Sequence, residues 1–84
     1  MKFSELPVGT TVLYTYQYTG LPLSITIGTI IHSYPNNYIT DTYCSSGNTF
    51  KTSVVSMDED DRATFIGVIS SIDDAKHNFP EYFI

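Results

Sequence analysis

The sequence predicts an all-β fold: a five-stranded antiparallel barrel or strongly curled sheet, ending in a short C-terminal helix. Three observations carry that expectation. Side chains of like character recur at every second position, as in Val12, Tyr14, Tyr16 and Tyr18, the spacing that places them on one face of a strand. Short clusters of Gly, Pro, Asn and Ser interrupt these runs, and such residues reverse a chain. One segment alone, near the end, changes to helical spacing.

After an opening "FSELPVGT", the first strand runs through "TTVLYTYQY" and "TGLP" breaks it. "LSITIGTIIHSY" follows as a longer strand, rich in β-branched residues that are stiff at the first side-chain torsion and suit a pleated surface. Its apolar positions Leu23, Ile25 and Ile27 shift phase to include Ile30, with Gly28 at the change, so the spacing predicts a bulge or sharp bend there. "PNN" is the next turn, because asparagine tolerates a left-handed backbone. "YITDTYC" is the third strand, "SSGN" a tight reversal, and "TFKTSVVSM" the fourth strand. "DEDDRA" reads as a polar loop and "TFIGVIS" as the fifth strand, so all strands fall within residues 10–69. Such a meander exposes its edges, and closing the sheet removes them.

The helix is expected at about 71–79, "SIDDAKHNF". Ser71 is placed to cap it, with Asp74 three residues on in a capping-box arrangement, and two aspartates in the first turn complement the positive end of the helix dipole. Ile72, Ala75 and Phe79 share a face that packs on the strands, and Pro80 ends the helix because it lacks an N–H and its ring clashes with the preceding turn. Tyr82 and Phe83 are expected to pack down behind it. There is no repeat or linker, so residues 1–84 read as a single small domain.

Composition narrows the function. An apolar fraction of 42% with 14% aromatic residues suffices for a core. One cysteine, Cys44, cannot form an intrachain disulfide, which excludes a disulfide-stapled scaffold. "MKFSELPVGT" meets a Glu and a Pro too soon for a signal peptide, and no apolar run is long enough to span a membrane; the expectation is a cytoplasmic domain without a membrane role. The net charge of −5 lies wholly in residues 57–84. That sign repels phosphate backbones, which disfavours nucleic acid and points to a basic protein partner.

The strand pattern of "PVGTTVLYTY", "GTIIHSY", "NNYITDTY" and "NTFKTSVV" resembles that of SH3-like small barrels of the Tudor and KOW kind, over roughly residues 6–57. The resemblance implies a fold and brings no binding motif with it. "VLYTY" is also similar to the ALYDY stretch of eukaryotic SH3 domains, but this chain has no tryptophan, the residue those domains use to grip proline-rich peptides. That activity is not carried over.

Chemistry finds little support. Cys44 with His32 lacks a flanking motif for a catalytic pair, and His32 and His77 lack metal-ligand spacing. "DEDD" lacks the alternation and distal Glu of a calcium loop. No catalytic residue, metal or cofactor is therefore expected, and the chain reads as a non-catalytic protein-binding module rather than an enzyme. Two surfaces are candidates. One is aromatic: Tyr16, Tyr18, and Tyr34 or Tyr38 from loop ends, with large contact area and few torsions to freeze. Tyr14 is expected inside. The other is acidic: Asp58, Glu59, Asp60 and Asp61, joined by Asp73 and Asp74 if the helix folds back beside that loop. Such a face suits a small regulator or inhibitor of a basic partner, in the manner of phage-encoded nucleic-acid mimics. The alternatives are an aromatic-patch binder of single-stranded nucleic acid or a small ligand, and a homo-oligomeric structural protein using an open strand edge or the apolar tail.

Overall fold

The computed structural model describes residues 2–83. Five antiparallel strands form one sheet: β1 (Thr11–Tyr16), β2 (Ser24–Ser33), β3 (Asn36–Cys44), β4 (Lys51–Ser53) and β5 (Ala63–Ile69). Two helices, α1 (Val54–Glu59) and α2 (Ile72–Asn78), and 3-10 turns at Phe3–Glu5 and Pro80–Tyr82 complete the fold. The strand order is β4-β3-β2-β1-β5, so the first four make a meander and the last returns beside β1. β4 and β5 are the two edges and do not pair, so the sheet is not closed.

Two bulges bend this sheet, and bulged strands twist more strongly than regular ones. One falls between Leu13 and Tyr14 against β5, where Ile66 is the extra residue. The other falls between Ile27 and Gly28, where Thr42 on β3 is extra. The phase change seen around Gly28 in the sequence is this irregularity.

Both faces of the sheet are covered. Val12 and Tyr14 point to one side and pack with Phe3, Ile30, Ile39, Val54 and Met57, which places the N-terminal turn and α1 on that face. Leu13 and Ile27 point to the other and pack with Ile69 and Ala75, with Phe79, Tyr82 and Phe83 against them, so α2 and the C-terminal turn cover the opposite face. Leu13 and Val12 are fully buried although adjacent, because each has its own helical layer. Phe79 lies directly over Gly67 of β5, where a Cβ would sit 2.8 Å from its ring. The expected packing of Ala75, Phe79, Tyr82 and Phe83 is present, whereas Ile72 is exposed.

Three local expectations are corrected. "TFKTSVVSM" is not one strand: pairing stops at Ser53, and residues 54–59 form α1. Val54 and Met57, three apart, are its buried residues, so helical spacing overrides the strand preference of the Val54–Val55 pair. Consequently Asp58 and Glu59 stand in a helix rather than a loop. The turn between β2 and β3 is made by Tyr34 and Pro35, and Asn36 and Asn37 already pair in β3. At α2, Ser71 accepts from the Asp74 N–H at 3.1 Å, but the Asp74 carboxylate accepts in return from Ser70 rather than from Ser71.

Asp58 ties the first layer together. Its carboxylate accepts from the N–H groups of Phe3 at 2.5 Å and Ser4 at 3.1 Å, which have no helical partner at the start of that turn. Asp58→Ala is expected to cost about 1–2 kcal/mol in denaturant unfolding and to speed hydrogen exchange at the Phe3 and Ser4 amides. Unchanged exchange at those two amides would remove this role. Among the described residues no helix is long and apolar enough to cross a membrane.

Candidate functional site

The alternation in β1 carries its tyrosines to the α1 face. Tyr14 is buried and Tyr16 half-buried. Beyond the strand, Tyr18 leans on Tyr16 with ring centroids 4.7 Å apart, and Phe50 approaches Tyr18 at 6.5 Å. Together with Thr26, Asp41, Thr52, Met57 and Asp60 these rings enclose a pocket of about 210 Å³. It lies at the end of the sheet where the β1–β2 loop, the β3–β4 loop and the α1–β5 turn converge.

Local hydrogen bonds set each wall. In the β3–β4 loop Gly47 takes a positive φ of 86°, which a glycine adopts at no steric cost, and the chain doubles back to bring Phe50 beside Asp41. The Phe50 carbonyl accepts from the Asp41 N–H at 2.9 Å, and the Phe50 N–H donates to the Asp41 carboxylate at 3.3 Å. The Tyr14 hydroxyl donates to the other Asp41 oxygen at 2.5 Å. On the facing wall Tyr16 donates to Asp60 at 2.7 Å. Arg62 grips the same carboxylate with Nε at 3.0 Å and Nη2 at 3.1 Å, and its guanidinium carbon lies 5.1 Å from the Tyr16 ring centroid.

These contacts shape the titration of the site. Burial pushes the Asp41 carboxyl above its ordinary value, and the Tyr14 and Phe50 hydrogen bonds offset only part of that rise. Burial also raises Tyr14, reinforced by the Asp41 carboxylate it faces, so its phenol stays neutral. Tyr16 and Tyr18 move up for the same first reason. Asp60 moves the other way: the Arg62 guanidinium first, then the Tyr16 hydroxyl, hold it well below the usual carboxylate range. The lining thus combines ring faces of negative quadrupole with two carboxylates, of which Asp60 is already paired with Arg62 behind it and Asp41 faces no cationic side chain. The ring faces and the Asp41 carboxylate attract a cation and repel an anion, against the desolvation cost that burial imposes on any charge.

The structure brings Tyr16, Tyr18 and Asp60 together in this pocket. Tyr34, 89% exposed, occupies the turn at the opposite end of β2, and Tyr38 lies on β3 beneath the Lys51 ammonium, 4.8 Å from its ring centroid. The acidic residues do not merge into one surface. Asp58 is engaged by the N-terminal turn and Asp74 by the start of α2, while Glu59, Asp61 and Asp73 are exposed. The helices that carry or precede these groups cover opposite faces of the sheet.

Asp41, Phe50, Thr26, Thr52 and Met57 were not singled out from the sequence. Asp41 had one readable signal: it shares the alternating face of the buried Ile39, an unusual place for a charge. Cys44 and His32 are far apart. Cys44 pairs with Thr26 and His32 with Asn37, six positions along β2, or about 20 Å. Burial opposes ionisation of the Cys44 thiol, but hydrogen bonds from Ser46 and Thr26 outweigh it and draw the thiol below its ordinary value. Among the described residues no group of three or more His, Cys, Asp or Glu side chains is placed to hold a metal ion.

No protein-family model matches this chain, and no curated protein or solved structure matches it either.

Proposed function

We propose that this chain is a non-catalytic protein-binding module, a small acidic regulator or inhibitor whose tyrosine pocket receives a cationic side chain from a basic partner. The observation that carries the reading is the pocket itself: Tyr14, Tyr16, Tyr18 and Phe50 around the carboxylates of Asp41 and Asp60. A lysine or arginine entering it exchanges water for aromatic faces and a negative field, and a cation–π contact contributes about 0.5–1 kcal/mol where exposed and about 2 kcal/mol where desolvated. The net charge of −5 draws a basic protein toward the domain from a distance. Four meandering strands with the fifth returned beside the first support an SH3-like reading of the fold, with the sheet open between β4 and β5. The cytoplasm is the compartment proposed for it.

Seven tyrosines and no tryptophan make intrinsic tyrosine emission a direct probe. Titration with the capped tripeptides Gly-Lys-Gly and Gly-Arg-Gly is expected to give saturable binding with a Kd of about 1 mM, weakened by salt and by Tyr18→Ala. Affinity should fall as pH drops through the raised Asp41 value, because protonation removes the charge that faces the guest. Equal binding of Gly-Glu-Gly, or indifference to Tyr18→Ala, would defeat the reading.

A further inference from the structure

One long edge of the sheet carries backbone groups that the fold leaves without partners. In β1 the odd-numbered residues turn their amides toward β5 and the even-numbered ones toward β2. Gln17, just past the strand, donates its N–H to the Arg62 carbonyl at 3.0 Å, and the Thr10 carbonyl, just before it, accepts from Ile30 at 2.9 Å. Hydrogen-bonded pairs alternate along an antiparallel ladder, so Thr64, Gly67 and Ile69 face β1, opposite Thr15, Leu13 and Thr11. Phe65 and Val68 therefore turn their N–H and C=O groups away from the sheet. Among the described residues no turn or loop bond reaches either of them.

The two edges are not equally guarded. β4 has three residues and begins with Lys51, and short edge strands that carry a lysine resist further pairing. β5 has seven, "ATFIGVI", with no charge and no proline, and Val68 is 55% exposed. The bulge at Ile66 is the one device that blunts it. A free ladder of strand-forming residues takes up an extended segment, with main-chain bonds supplying the affinity. No residue of β5 lines the tyrosine pocket, so the two surfaces are separate.

We infer that the β5 edge receives an extended segment of a basic partner, uncharged where it pairs and carrying lysine or arginine at both ends. The inference rests on the reading of a basic partner and adds a contact outside the pocket. Charge selects the occupant. Glu59 and Asp61 stand exposed before β5, where Arg62 is committed to Asp60, and Asp73 and Asp74 follow its end ahead of a single lysine, Lys76. A second copy paired antiparallel through its own β5 would set the acidic start of one strand against the acidic end of the other, and like charges so placed repel. A strand with basic ends meets carboxylates at both.

The test is amide hydrogen exchange with the capped peptide Lys-Thr-Val-Thr-Val-Thr-Lys. At saturation the Phe65 and Val68 amides are expected to slow about tenfold or more, while those of Thr64, Gly67 and Ile69, already bonded to β1, change little. Glu-Thr-Val-Thr-Val-Thr-Glu should bind about tenfold more weakly at low salt. A Lys-ended analogue N-methylated at every Thr and Val keeps the charge, lacks the ladder donors and should protect neither amide. Protection should persist in the Tyr18→Ala protein, which has lost a wall of the pocket. No protection, equal protection by the Glu-ended peptide, or protection lost with Tyr18→Ala would overturn the inference. Protection without binding of Gly-Lys-Gly would uphold the edge and overturn the pocket reading alone. Phe65 and Val68 amides already slow in a free protein of twice 9.4 kDa by light scattering would assign the edge to a second copy, against the inference.

Discussion

Gly28→Ala is expected to destabilise the fold by about 3 kcal/mol, at the upper end of what overpacking costs in a filled interior. A Cβ at this position runs into Cγ2 of Ile39 and lies 3.0 Å from Oδ1 of Asp41. Neither neighbour can yield cheaply. Ile39 is 1% exposed, with its χ1 restricted by β-branching, and the Asp41 carboxylate is held by Tyr14 and Phe50. The clash also sits at the β2–β3 bulge, so relief by backbone movement disturbs the wall that carries Asp41. Urea unfolding of the variant gives the first number, and a cycle with Ile39→Ala gives the second. Ile39→Ala should cost less in the Gly28→Ala background than alone, because one substitution opens the space the other needs. Strict additivity would show that the contact with Ile39 is not the cause.

Asp41→Asn is expected to separate binding from stability. It should lower affinity for the Gly-Lys-Gly probe tenfold or more, yet leave the protein as stable as before or more so at neutral pH. Burial raises the Asp41 value in the folded state, so the native protein holds a proton there more tightly than the unfolded chain, whose value is near 3.8. Above the folded value the charge is buried at full cost. As pH falls through that value toward 3.8 the native state takes up the proton first, and stability gains from this group. Asp60 has the opposite sign: its depressed folded value means its contribution is present above 3.8 and is lost as pH falls below. Asparagine keeps an oxygen for Tyr14 and removes the buried charge; its NH2 cannot accept from the Phe50 N–H, but that bond is the long, exposed one at 3.3 Å and its loss is the smaller effect. Asp41→Ala leaves the Tyr14 hydroxyl without its acceptor and should cost about 1–3 kcal/mol. An asparagine variant that unfolds more easily, or that binds the probe as before, would contradict the assignment of Asp41 as the charge facing the guest.

Much of the frame was legible because it depends on local spacing. Alternation located β1, β2 and β5, the glycine at a phase change located a bulge, and Ser71 with Asp74 located the start of α2. The adjacent apolar pair Val12 and Leu13, both fully buried, belongs to a strand covered on both faces. What could not be read depends on residues distant in sequence. The α1 turn hides behind two valines that suit a strand equally well, and only contact with Phe3 and Tyr14 decides the matter. The pocket joins Tyr14 to Asp41, 27 positions away, and Tyr16 to Asp60, 44 away. Alternation indicates which way each side chain points; it does not show which partners meet there. The acidic runs fared likewise: their composition suggested one surface, but the helical layers separate them.

The ion pair between Arg62 and Asp60 has a consequence for the valence of the guest. Of the two carboxylates bordering the recess, one is already neutralised from within, so a single negative charge is left to be matched. A monovalent head satisfies it. A divalent ion or paired ammonium groups would bring one positive charge too many into an aromatic enclosure, unless Arg62 first swung away.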